Sequence, residues 1–199
     1  MARYEPRDKF YQRAREQGLP SRAAFKLEEL LARFRLVSDG ARVLDLGSAP
    51  GGWLAILSAA VGRNGRVVGV DLTACRSLGA NVMTIVGDLR DLAVRVAARE
   101  ALAGPADLVT SDLSPKLTGI RERDQAQTSE LIETAIVVAT ETLKPAGAMV
   151  AKLFMGTEFE AVRGLFARNF KTTEVVRTRA GRPGSAELYV VARNFRPRE

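Results

Sequence analysis

The ten residues from Leu44 to Trp53, LDLGSAPGGW, put the end of a short apolar run, a glycine-rich turn and the start of an apolar helical stretch in direct succession. A strand that turns into a helix this abruptly belongs to open, doubly wound sheets, which bind ligands at the carboxyl edge of their strands. The rest of the chain keeps the same alternation. RVLDLG, GRVVGVDL, NVMTIVGDL, ADLVTSD and AMVAKLF read as successive strands, with helices expected over 53–61, 91–103 and 125–143 between them. A further helix is expected near 158–168, and KTTEVVRT and AELYVVARNF then form a hairpin that closes the sheet. Upstream, Ser21 is positioned to N-cap a helix whose apolar residues Ala24, Leu27, Leu30, Leu31 and Phe34 recur at helical spacing, with Arg22 and Lys26 one turn apart. The expected fold is α/β. It has a mostly parallel seven-stranded sheet, an antiparallel C-terminal edge hairpin and helices on both faces. Residues 21–199 make one domain, preceded by a basic extension over 1–20 that lacks periodicity and is expected to stay mobile until a partner orders it.

The turn fails as a phosphate-binding loop and weakens the dinucleotide reading. Gly47 and Gly52 have the separation of a phosphate-binding loop, but Trp53 stands where its lysine is needed. Ala49 replaces the second glycine of a dinucleotide fingerprint, the one that lets the backbone approach a pyrophosphate. A small ligand without a phosphate remains. Asp71 ends the second strand, where a carboxylate accepts ribose hydroxyls, and Asp88 follows the third, within reach of an adenine amino group. Both needs belong to an adenosine cofactor.

Composition narrows the chemistry. Cys75 is the sole cysteine and histidine is absent, so His/Cys zinc sites, Cys-His pairs and Ser-His-Asp triads are excluded, and a general base must be Lys, Asp, Glu or Tyr. No apolar run approaches about 18 residues and no secretory core is visible, so a cytoplasmic protein without a membrane span is expected. The net charge of +7 is uneven: residues 1–26 carry seven basic and three acidic side chains, residues 163–199 nine and three, and the middle is net −3. Two basic ends around a near-neutral centre suit a polyanion.

The pattern D-L-G-x-A-P-G-G-W resembles the S-adenosylmethionine site of the FtsJ family of ribosomal RNA ribose 2′-O-methyltransferases. SRAAFKLEEL, SDLSPKLTG, AKLFMG and AELYVVA follow in that family's order, so the likeness runs from Ser21 to Arg193. It implies a Rossmann-like methyltransferase fold with S-adenosyl-L-methionine as cofactor, held by Gly51, Trp53, Asp71, Asp88 and Asp112. It implies a catalytic set of Lys26, Asp112, Lys152 and Glu187, acting on the 2′-hydroxyl of a uridine in 23S ribosomal RNA within the large subunit, by a monomer. A cap or transfer RNA, or an inert assembly factor that only binds RNA, are the alternatives. Ser114 and Lys116 depart from the family's D-M-A-P-N, which touches acceptor positioning rather than Asp112.

The residues themselves agree with those roles. Lys152 is a lone lysine inside the apolar strand VAKLF, and Asp112 closes the neighbouring strand. Packing of its stem with a snorkelling ammonium is the plain alternative. Methyl transfer from a sulfonium is an in-line displacement that needs an oriented acceptor and a proton acceptor. Lys152 is expected to be that base, oriented by Asp112 and Glu187, with Lys26 as the second cation that disfavours its protonated form and steers the ribose phosphate. No metal is required. Trp53 serves either beside the methionine moiety or as core packing. Arg3, Arg7, Lys9, Arg13, Arg15, Arg22, Arg177, Arg179 and Arg182 are candidate phosphate contacts, and Tyr4, Phe10 and Tyr11 candidate base-stacking residues.

Overall fold

Parallel strands buried on both faces need continuous β-branched or apolar runs, and the central runs of this chain become such strands. The computed structural model describes residues 9–16, 18–19, 21–75, 78–115, 118–155, 159–181 and 185–197. In chain order the elements are α1 (Lys9–Glu16), α2 (Ala23–Phe34), β1 (Arg42–Leu46), α3 (Gly52–Val61), β2 (Arg66–Asp71), β3 (Val82–Val86), α4 (Leu92–Leu102) and β4 (Ala106–Ser111). They continue as α5 (Arg121–Thr142), β5 (Leu143–Phe154), α6 (Phe159–Asn169), β6 (Phe170–Val176) and β7 (Glu187–Phe195). One seven-stranded sheet has the order β3-β2-β1-β4-β5-β7-β6. Its first five strands are parallel, and β7 runs antiparallel to both β5 and β6.

Alternation along the strands builds two cores. Leu44, Leu46, Val68, Val70, Met149 and Leu153 face α4, α5 and α6 through Leu102, Ile132, Ala139, Val162 and Phe166. Val43, Val67, Leu108, Val150, Tyr189 and Val191 face α2 and α3 through Leu27, Leu30, Trp53, Leu54 and Leu57. The second face carries the functional residues, because Lys26 rides on α2 and the glycine turn opens α3. No helix of the described residues is long and apolar enough to cross a membrane.

Four local expectations change. Within the basic extension, residues 9–16 form α1, and Ala14 packs with Phe25 and Ala180 while the Arg13 guanidinium lies 4.7 Å from the Phe25 ring centroid. Among the described side chains of this two-turn helix Ala14 is the buried one, and one small residue leaves no apolar period to read. Ser21 does not occupy the N-cap; Arg22 does, with helical dihedrals, and the Ser21 hydroxyl accepts the Ala23 N–H at 3.2 Å. Helix α5 begins at Arg121, a turn before Gln125, because the Asp124 carboxylate gathers the N–H groups of Thr118 and Gly119 at its start. Strand β5 absorbs Lys144-Pro145, which reads as a stop: it follows α5 without a loop, and its pairing with β4 shifts register between Ala106 and Leu108. Arg3, Tyr4, Arg7, Lys116 and Arg182 lie outside the described residues.

Candidate active site at the carboxyl edge of the sheet

Leaving β1, the chain must turn sharply above β2 and β4. Gly47 takes φ +77°, and a Cβ there would lie 3.0 Å from Leu113 Cδ2, so the turn presses its backbone against the segment after β4. Gly51 opens α3 at φ +104°, and a Cβ would meet Leu78 Cδ1 at 2.8 Å. Asp71 at the end of β2 braces the turn: one carboxylate oxygen accepts the Ala49 N–H at 2.9 Å and the other the Thr73 N–H at 2.8 Å. A cleft of about 290 Å³ opens beside it, lined by Gly47, Ala49, Asp71, Leu72, Asp88, Arg90, Asp112 and Leu113 among others. A larger cavity, about 930 Å³, lies at the opposite edge among Arg42, Arg63 and Arg66 and contains none of these carboxylates.

Three of the five residues expected at a cofactor, Asp71, Asp88 and Asp112, line the cleft. Asp88 is already engaged there by Arg90, whose side-chain and backbone hydrogen bonds hold its carboxyl down at about 2. Gly51 and Trp53 are not among the lining residues. The Trp53 indole N–H donates to the Ala23 carbonyl at 2.9 Å, and its ring lies 5.9 Å from that of Tyr189, so it ties α3 to α2 and β7 inside the core.

The four charged residues expected at the reaction come together. Lys152 Nζ donates to the backbone carbonyl of Asp112 at 2.8 Å and sits 3.2 Å from its carboxylate Oδ1. Lys26 Nζ donates to Glu187 Oε1 at 2.5 Å. The two ion pairs are joined by a residue that sequence reasoning missed. The Tyr189 hydroxyl lies 3.1 Å from Glu187 Oε1 and 3.4 Å from Asp112 Oδ1. Tyr189 stands opposite Lys152 in the β5/β7 ladder, which places both on one face. A signal was present: Glu187 and Tyr189 are two apart in a strand and therefore share a face.

Electrostatics divides the roles. Burial pushes the Asp112 carboxyl up, while the charges of Lys152 and Lys26 pull against it. The Tyr189 phenol is driven far up by burial and by the Asp112 and Glu187 charges, which keeps it neutral, a donor and unavailable as a base. The Lys152 side chain is 7% exposed and its partner Asp112, which lines the cleft, 24%, so the carboxylate is the more accessible member of the pair.

The basic ends also meet here. Arg22 donates to the Ala180 carbonyl at 2.6 Å, the Arg179 N–H donates to Glu29 at 2.8 Å, and Arg177 donates to the Ser185 carbonyl at 2.7 Å. Helix α2 and the β6–β7 connection thus form one basic rim beside Lys26.

The family model for FtsJ-like methyltransferases matches residues 19–195. A protein named ribosomal RNA large subunit methyltransferase E from Anaeromyxobacter sp. (strain Fw109-5) is 44% identical over 194 residues, covering 97% of this chain and 70% of the relative. The chain belongs to the FtsJ-like methyltransferase family. A second relative of that name, from Myxococcus xanthus, is 43% identical over 189 residues, covering 94% of this chain and 89% of its own. The fold agrees with solved structures. A Plasmodium falciparum protein named as a ribosomal RNA methyltransferase superposes with TM-score 0.78 at 21% identity, covering 89% of this chain and 99% of that one. Aeropyrum pernix fibrillarin, solved with S-adenosyl-L-methionine bound, superposes with TM-score 0.61 at 18% identity, covering 87% and 74%. The FtsJ-like sheet is thus the seven-stranded, mostly parallel methyltransferase sheet, and its carboxyl edge holds every paired charge described above.

Proposed function

We propose that this chain methylates the 2′-hydroxyl of a uridine ribose in 23S ribosomal RNA, with Lys152 as the proton acceptor. Membership of the FtsJ-like family and relatives named for the large subunit make it an S-adenosylmethionine-dependent ribosomal RNA methyltransferase. The ribose position, the uridine and the base are the further step. One observation carries that step: two lysine–carboxylate pairs, joined through the Tyr189 hydroxyl, stand at the sheet edge beside a cleft fitted for an adenosine.

The cleft has the donor set the cofactor needs. Each Asp71 oxygen accepts one backbone N–H and keeps lone-pair capacity for ribose hydroxyls. Leu72, Leu89 and Leu113 supply apolar walls, and the close approach at Gly47 leaves no room for a side chain in the turn. Asp88, clamped by Arg90, is assigned to the adenine side, and Gly51 and Trp53 to the framework that holds the turn against α2. When bound, S-adenosylmethionine supplies an electrophilic methyl on a sulfonium.

The chain's own residues then handle the acceptor. Lys152 has two of its hydrogen-bond directions taken by the Asp112 carbonyl and carboxylate, which fixes where its amine points. As the neutral amine it takes the proton from the ribose hydroxyl. Lys26, held by Glu187, is the second cation of the site and the group that meets the ribose phosphate. This reading includes a monomer working in the cytoplasm on the large subunit, without a metal.

Lys152→Ala, assayed with radiolabelled cofactor and ribosomal subunits, is expected to lose methyl transfer by about 10²- to 10⁴-fold, the usual range for a general base. Its cofactor affinity should stay within about threefold, since Lys152 acts on the acceptor and one threefold step is below 1 kcal/mol. Full activity in this variant, or wild-type label mapping to a base rather than a ribose 2′-oxygen, overturns the reading.

A further inference from the structure

Beneath the site described lies a carboxyl group that it does not use. Asp45 in β1 is fully buried, flanked in the sheet by Gly69 of β2 and Thr110 of β4. Two residues further along each of these strands, and so on the same face, come Gly47, Asp71 and Asp112, with Lys152 two beyond Val150 on β5. Asp45 is therefore the floor under the Gly47 turn, between Asp71 and Asp112, two of the three carboxylates that line the cleft.

Its bonding is half complete. One oxygen accepts the Thr110 hydroxyl at 2.7 Å, and the other is buried without a hydrogen-bond partner among the described residues. Gly69 offers no side chain, and no cation pairs with Asp45 among the described residues. Burial, reinforced by the Asp112 and Asp71 charges and only partly offset by Thr110, lifts its pKa to about 7. The groups facing it can be named element by element. They are Asp71 from β2, Asp112 from β4, Lys152 one row up on β5, and Cys75 from the segment after β2, whose Sγ lies 3.6 Å from Ser48 Oγ. Helix α3, GWLAILSAAV, packs over this face and contributes no titratable side chain.

We infer that Asp45 is a proton-linked sensor of sulfonium charge: a positively charged cofactor seated on the Gly47 turn expels the Asp45 proton to solvent, and the neutral thioether product lets it return. This rests on the reading of the cleft as an S-adenosylmethionine site. The physical step is charge compensation. A nearby cation stabilises the carboxylate over the carboxylic acid, so the proton leaves on binding. By linkage the sulfonium form binds more tightly as pH rises through the titration of Asp45, by up to about tenfold for each unit its pKa falls on binding, while the thioether does not. The residue positions charge for binding and product discrimination. It does not touch the reacting atoms.

The test is calorimetric titration of the full chain at pH 7 in phosphate and in Tris, whose ionisation enthalpies differ, with S-adenosylmethionine and S-adenosylhomocysteine as ligands. Wild type is expected to release about 0.3 to 0.5 proton more with the sulfonium than with the thioether, as a half-titrated group does when its pKa drops. Asp45→Asn should abolish that difference and Cys75→Ser should keep it. An equal proton count for the two ligands in wild type overturns the inference even if Asp45→Asn fails to fold, and so does a difference that survives in a folded Asp45→Asn. Absence of binding by both ligands removes the cofactor reading itself, an outcome distinct from binding without proton release.

Discussion

Burial decides more at single residues here than charge count does. Asp88 and Asp45 both sit near the carboxyl edge, yet Arg90 holds the Asp88 carboxyl down at about 2 whereas burial lifts Asp45 to about 7. The sign for stability follows. Between the unfolded value of 3.8 and about 7, folded Asp45 keeps a proton that the unfolded chain has lost. Its contribution is therefore full below that window, falls as pH rises through it, and is lost above it. Melting temperatures followed from pH 4 to 8 should decline more steeply for wild type than for Asp45→Asn across that interval. Parallel profiles would mean that Asp45 ionises like a surface carboxylate. None of this was legible in the sequence, where Asp45 is one letter of a motif. Lys152 was legible, since a single lysine in an apolar strand is conspicuous, whereas Tyr189 showed only as sharing a strand face with Glu187, and its bond to Asp112 spans distant segments.

At the level of elements, turns and short helices account for most of the differences between expectation and structure. The strands followed from β-branched runs, because a residue that must bury on a sheet face shows itself by type. Helix α1 did not, because its anchor Ala14 is one small residue whose pocket, formed by Phe25 and Ala180, comes from two distant segments. Helix α5 starts early for a polar reason, the Asp124 bonds to Thr118 and Gly119. The Gly47 turn is the element on which the cleft depends. Gly47→Ala must adopt φ +77° and bring a Cβ to 3.0 Å from Leu113 Cδ2 and 3.1 Å from its backbone nitrogen. The left-handed backbone alone costs roughly 1–2 kcal/mol for a residue with a Cβ. Urea unfolding should show a loss of at least that size, and calorimetry a weaker cofactor affinity, because Leu113 shifts into the cleft. Unchanged values in both would show that the turn tolerates a side chain.

Across the whole molecule, the sheet order brings together what the chain keeps far apart. Lys26 and Glu187 are 161 positions apart and Arg22 and Ala180 158, yet each pair is bonded. The consequence is that Arg13 and Arg15 of α1 and Arg177 and Arg179 of the β6–β7 connection belong to segments that meet around Ala180 and the start of α2. If each of these four arginines neutralises one phosphate of a single-stranded acceptor, log affinity should fall against log salt with a slope of about −3. Replacing Arg177 and Arg179 together by alanine should flatten that slope by about 1.4. A filter-binding series from low to moderate salt checks both numbers, and affinity that ignores salt would remove the rim from the RNA interface.

The sequence by itself determined the α/β class, the seven strands, the exclusion of histidine catalysis and of His/Cys zinc sites, and the residue types available for catalysis, because these depend on composition and local periodicity. Only the tertiary structure decided that Tyr189 joins the two ion pairs, that Trp53 belongs to the core, that residues 9–16 of the extension form a docked helix, and that one oxygen of buried Asp45 lacks a hydrogen-bond partner among the described residues. Those facts depend on which segments the sheet order places side by side and on how far burial removes water from them. Neither quantity is written in any stretch of neighbouring residues.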